Sequence, residues 1–153
     1  MFGERSQVSL FVGLRFFFDG GDSVPVSKLP QLVYETKKDL SEIGIVSTIV
    51  GHVGDGNFHA QLLFRTPEEE EVVRQAVHRM VKRAIAMEGT CTGEHGVGIG
   101  KRKYLVEELG EGTVHLMKTV KKAIDPLGLF NPGKVLLIPS TFAWSANGVA
   151  VVS

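Results

Sequence analysis

Two short glycine-rich stretches hold the residues that could do chemistry. Gly51-His52-Val53-Gly54-Asp55-Gly56-Asn57-Phe58-His59 sets an imidazole on either side of a turn. Gly93-Glu94-His95-Gly96 sets a carboxylate beside a third imidazole. Neutral histidines and a carboxylate suit a divalent ion, so His52, His59 and Glu94 form a candidate donor set for zinc, manganese, iron or cobalt. His95 would then stand beside the ion as a free base. Glycines 51, 54 and 56 allow a tight backbone and leave room for a ligand. Asp55 can order the turn or buttress a histidine. The same spacing also fits an ordinary surface hairpin, and the glycine-dense run 89–100 also fits a solvated loop.

Other residues draw plainer expectations. Gly100-Lys101 fails as a phosphate loop, because Arg102 stands where Ser or Thr is needed. Cys91 suits a small core filler beside the second loop. His78 and His115 fall on polar helix faces. Lys118, Lys121 and Lys122 near a helix C-terminus suit its dipole and need no partner.

The chain has 153 residues, 43% of them hydrophobic, which is enough to bury a core. Its 17 basic and 17 acidic residues cancel, so no long-range field draws it to nucleic acid or an anionic membrane. One cysteine allows no internal disulfide and fits a reducing compartment. No run reaches the roughly 18 apolar residues of a spanning helix, since Arg15 interrupts Phe11 to Phe18. Neither a transit-peptide nor a signal-peptide layout is visible.

The elements that must position the candidate residues come from periodicity. Val24-Pro25-Val26 predicts a short strand, with Ser27 as N-cap and Pro30 in the first turn of a helix. Leu29, Leu32, Val33, Thr36, Leu40 and Ile43 give that helix its stripe, and Gly44 stops it. Ile45 to Val50 predicts a buried strand. Phe58 to Phe64 returns as a second. Thr66-Pro67-Glu68-Glu69 is a capping box. Behind it Val72, Val73, Ala76, Val77, Met80, Val81, Ala84 and Ile85 form one apolar stripe, ended by Gly89. Residues 90–100 form a strand-to-loop segment, and shorter helices are expected near 101–109 and 112–124, closed by Asp125-Pro126. The class is α+β with an antiparallel sheet, a ferredoxin-like βαββαβ core plus C-terminal helices. The domain is expected over 22–138, after a poorly specified segment 1–21 and before an irregular tail 139–153.

Three blocks in order carry a resemblance: G-H-V-G-D-G-N-F-H (51–59), T-C-T-G-E-H-G-V-G-I-G-K-R (90–102) and D-P-L-G-L-F-N-P-G-K-V-L (125–136). Over about 24–137 the chain resembles the C-terminal domain of the FAD-linked oxidases of the vanillyl-alcohol oxidase superfamily. It is most similar to the mitochondrial D-lactate dehydrogenase (cytochrome) branch, with glycolate oxidase subunits and D-2-hydroxyglutarate dehydrogenases as near relatives. The resemblance implies that His52, His59 and Glu94 hold a divalent metal, zinc or manganese, and that His95 is the catalytic base. It implies that Asn131 approaches the flavin, with Glu94 and His95 beside it, and that Gln61 lines the substrate pocket.

The implied activity is oxidation of a D-2-hydroxy acid, D-lactate, to a 2-oxo acid by hydride transfer to FAD, with cytochrome c as electron acceptor and a mitochondrial location. The family's FAD-binding domain has no counterpart in these residues. Asp19-Gly20-Gly21-Asp22 stands where relatives carry a Thr-Asp or Lys-Tyr-Asp run. A partial gene product or a mis-joined frame is therefore expected, inactive by itself. The residues leave open a metal-dependent hydrolase with a bound water as nucleophile, and a non-catalytic metal-binding fragment.

Overall fold

The computed structural model describes residues 16–134, 142–144 and 150–152, with side chains from 21 to 134. The chain divides into two compact units, residues 1–95 and 96–153. In the first unit the order is β1 (Phe16–Ser23), α1 (Leu29–Glu42), β2 (Ser47–His52), β3 (Asn57–Phe64) and α2 (Pro67–Ala86). The sheet order is β1-β3-β2, with both pairings antiparallel. Thr90 adds a single antiparallel bridge to Ser23 at the other edge of β1. The α+β class and the antiparallel sheet are as expected, and the sixth element is a one-residue edge.

β3 is central because its alternate residues are apolar: Phe58, Ala60, Leu62 and Phe64 are all buried. Leu29, Leu32, Thr36 and Leu40 of α1 supply one helical stripe of the core. Val73, Ala76, Val77, Met80, Val81 and Ala84 of α2 supply the other. Val72, expected in that stripe, is exposed. Each large apolar side chain fully buried here contributes about 1.5–3 kcal/mol.

The entrance to α1 differs from expectation. β1 starts within the stretch that lacked a clean period and stops at Ser23. Val24-Pro25-Val26 is not a strand: Val24 N–H donates to the Gly56 carbonyl (2.9 Å), and Pro25 has no N–H for a ladder. Val26–Lys28 forms a 3-10 turn, closed by Lys28 N–H on the Pro25 carbonyl (2.7 Å). Lys28, not Ser27, is therefore the N-cap, while Pro30 sits in the first turn as expected. Ile45 to Val50 is also corrected. The strand begins at Ser47 and lies at the sheet edge, leaving Val46 and Val50 exposed.

α2 begins as the capping box predicts, with Thr66 Oγ1 accepting from Glu69 N–H (3.2 Å). The returning Glu69 carboxylate accepts from Arg65 N–H (2.6 Å), one residue before the cap. At its other end Glu88, not Gly89, takes the left-handed conformation (φ 64°). Gly89 is required by crowding instead. A Cβ there would lie 2.3 Å from the Ser23 carbonyl oxygen and 2.8 Å from that of Ala84.

Asp39 ties α1 to α2. It accepts from Arg79 Nη2 (2.7 Å) and Nε (2.9 Å), and from Arg83 Nη2. Burial acts to raise its pKa, but the two guanidinium groups prevail and hold it below the ordinary 3.8. A depressed carboxyl contributes stability above its unfolded pKa, and that contribution is lost as pH falls through the folded value. Asp39→Ala should lower stability by about 1–3 kcal/mol at neutral pH, and by less near pH 3. Urea unfolding at both pH values checks this, and an equal loss at both would count against it.

In the second unit a 3-10 turn (Arg102–Tyr104) leads into α3 (Leu105–Ile124). Gly110 (φ 78°, ψ 159°) breaks α3, which gives the two shorter helices expected. Leu105 and Val114 pack with Val97 and Met117. Asp125 caps the helix and organises the turn beyond it. Its carboxylate accepts from the N–H groups of Leu129 (2.8 Å) and Phe130 (2.9 Å) and from the Lys121 ammonium. Lys121 also donates to the Phe130 carbonyl (2.7 Å), so it has partners where none was expected. The ammonium, foremost, holds the Asp125 carboxyl down to about 2. β4 (Phe142–Trp144) and β5 (Ala150–Val152) pair antiparallel within the stretch expected to be irregular.

Candidate metal centre

The β2–β3 hairpin places two histidines on the sheet face opposite the core. A 3-10 turn over Val53–Asp55 joins the strands, and Gly56 (φ 70°) completes it. Gly56 is doubly required, because a Cβ would lie 2.0 Å from the Val24 carbonyl oxygen. Across the hairpin His52 pairs with Asn57, Val50 with His59, and Thr48 with Gln61. Cross-strand partners share a face, so His52, Asn57, His59 and Gln61 lie together, away from Phe58, Ala60 and Leu62. Thr48 and Val50 on this face are exposed.

His59 is the buried anchor, its side chain 11% exposed. Across β1 it pairs with Gly21, where a Cβ would stand 2.8 Å from its Nδ1. Gly21 thus leaves the space that the ring occupies. Gly51 has a similar reason, since a Cβ there would lie 2.6 Å from the Asn57 carbonyl oxygen. Gly54 meets open space and has no such reason. The sequence reading missed Gly21 and the part played by Asn57. Glycine inside a strand was the available signal for the first.

The loop after Thr90 brings up the carboxylate. Glu94 Oε1 lies 3.6 Å from His59 Nε2, 3.7 Å from His95 Nε2 and 3.8 Å from His52 Nε2. Ligand atoms about 2.1 Å from a tetrahedral zinc lie about 3.4 Å apart, so each separation between Glu94 and an imidazole is close to that of two ligands on one small ion. His59, Glu94 and His95 each offer an atom within 4.8 Å of the others, and His52 meets this cluster at Glu94. The His59 and His95 rings meet edge to face, with centroids 5.6 Å apart.

Gln61 is half-buried on the same face, one strand repeat beyond His59. Asn131 belongs to the second unit, exposed and left-handed (φ 46°), its carbonyl accepting from Lys134 N–H (3.1 Å). Cys91 is fully buried, as a core filler should be, and His78 and His115 are exposed.

The sequence profile described as FAD linked oxidases, C-terminal domain, matches residues 18–135. The chain belongs to this family. It is 59% identical over 113 residues to D-lactate dehydrogenase (cytochrome) 1, mitochondrial, of Saccharomyces cerevisiae, covering 74% of this chain and 19% of that protein. It is 49% identical over 120 residues to a probable mitochondrial D-lactate dehydrogenase of Danio rerio, covering 77% of this chain and 24% of that one. A glycolate oxidase subunit of Bacillus subtilis is 37% identical over 115 residues, with coverages of 74% and 24%. The chain therefore spans about a fifth to a quarter of the length of these curated relatives. As a member of the FAD-linked oxidases it matches their C-terminal domain over nearly all its described residues. Among those residues, no helix is long and apolar enough to cross a membrane.

Proposed function

We propose that this chain is the substrate- and metal-binding part of an FAD-dependent D-2-hydroxy-acid dehydrogenase, acting on D-lactate. The observation that carries this is the convergence of three imidazole nitrogens on Glu94 Oε1 at 3.6–3.8 Å. His52, His59 and Glu94 would hold a divalent ion such as zinc or manganese. Oxidation to a 2-oxo acid takes a proton from the hydroxyl and a hydride from C2, for which a divalent ion supplies acidification of the hydroxyl and a flavin supplies the hydride acceptor.

The chain's own residues do the rest. His95, its side chain 75% exposed beside Glu94, is free to take the hydroxyl proton on Nε2. His59, packed against Gly21, fixes the floor of the site. Gln61, on the same face, would receive the substrate's polar end. Asn131 would be the residue that meets the flavin. The names of the yeast and fish relatives support a mitochondrial location, and the word cytochrome in the yeast name supports a cytochrome, which we take to be cytochrome c, as electron acceptor.

A second assignment is favoured by the tighter trio of His59, Glu94 and His95, in which His95 is a ligand and His52 the free base. Ion content separates the two: the histidine whose loss spares the ion is the base.

The 153-residue chain alone should not oxidise D-lactate. Hydride transfer requires an acceptor held against C2, and the chain has no strand-turn-helix G-x-G-x-x-G unit for a nicotinamide. A dye-reduction assay with added FAD tests this. Saturable, D-specific turnover by the chain alone would refute it, and turnover only with a separately supplied flavin domain would support it.

A further inference from the structure

Asn57 is 4% exposed at the start of β3, and its side-chain Oδ1 is buried with no hydrogen-bond partner. A bare buried acceptor is unfavourable, so a fold keeps one where something else depends on the side chain. What Asn57 touches is the second loop. A Cβ on Gly93 would lie 2.9 Å from Asn57 Oδ1, and 3.3 Å from both Cγ and Nδ2. The amide therefore rests on the Gly93 Cα, with glycine's hydrogen where any other residue would carry carbon. Asn57 also pairs across the hairpin with His52 and stands two residues before His59 on the same face. Glu94 and His95 come directly after Gly93. One contact thus joins the strands that carry two imidazoles to the loop that carries the carboxylate and the third.

We infer that Asn57 and Gly93 form a joint that sets the Glu94 carboxylate at its distance from the imidazoles, Asn57 serving as a positioning residue through its shape. This rests on the divalent-ion assignment above. Because Oδ1 makes no hydrogen bond, a leucine, branched at the same carbon, should do the same work. An alanine at 57 leaves the loop unsupported. An alanine at 93 drives it away from the hairpin.

The test is Co²⁺ titration of the whole chain, monitored by visible absorption, with urea unfolding of the metal-free protein alongside. Asn57→Ala and Gly93→Ala should each weaken Co²⁺ binding about 10–100-fold and alter the absorption spectrum, the range found when a residue that orients a ligand is lost. Asn57→Leu should bind within a few-fold of wild type and keep its spectrum. Wild-type affinity and spectrum in both alanine variants would overturn the inference while leaving the ion site standing. So would an Asn57→Leu variant as weak as Asn57→Ala, or affinity losses no larger than the loss of folded protein. A wild-type chain that takes up no Co²⁺ would overturn the ion site and the inference together.

Discussion

His59→Ala should abolish divalent-ion binding, whereas the wild-type chain should bind about one ion. His59 sits on the central strand, and its ring fills the space that Gly21 leaves open. The other candidate groups are largely exposed, and the loop that carries Glu94 and His95 comes after a single bridge at Thr90. Removing the one preset nitrogen therefore leaves donors that must all be ordered by the ion itself. The loss should exceed the roughly 10–100-fold that results from removal of a merely supporting residue. Calorimetric titration with Zn²⁺ or Mn²⁺, together with elemental analysis, checks it. A wild-type chain without metal after loading, or a variant that still binds one ion tightly, would defeat the assignment.

With a flavin domain supplied, His95→Asn should lower D-lactate turnover by about 10²–10⁴, the usual contribution of a general base, and should leave the ion content intact. Asparagine cannot accept the hydroxyl proton on a basic nitrogen, yet it is close in size. The geometry makes this a sharp comparison, because His52 and His95 lie almost equally far from Glu94 Oε1, at 3.8 and 3.7 Å. His52→Asn should lose the ion and the activity together. If His95→Asn loses both and His52→Asn keeps the ion, the two histidines exchange roles.

The parts of the fold that could be read from residue order alone have a physical basis in common. α2 and β3 were legible because their burial is periodic, every third or fourth residue in Val73 to Ala84 and every second in Ala60 to Phe64. β1 was not legible, because Phe16-Phe17-Phe18-Asp19-Gly20-Gly21 alternates in nothing. Its glycine at 21 answers to the His59 ring across the sheet rather than to strand propensity, a local rule broken at a candidate site. Gly89 is a similar case. Its position marked the end of α2, but Glu88 takes the left-handed conformation there, and the glycine answers to two carbonyl oxygens. The side-chain types of the candidate site stood in the sequence. Their convergence did not, because it depends on a loop folding back past Thr90 onto a hairpin some forty residues earlier. Which of His52 and His95 stands closer to the others is set by backbone path, and spacing carries no trace of it.

The packing of His59 has a consequence for how the chain would respond to a chelator. In domains whose metal ligands are held by little else, withdrawing the metal withdraws the fold. Here the core rests on Leu32, Phe58, Leu62, Val73 and Met80, all buried, and on β3 Phe58 and Leu62 alternate with the side of the strand that carries His59. EDTA should therefore leave far-ultraviolet dichroism unchanged. The effect should appear as faster amide exchange confined to the residues after Thr90. Rebinding would then be paced by the search of a short glycine-bounded loop, a local event in which the rest of the molecule takes no part.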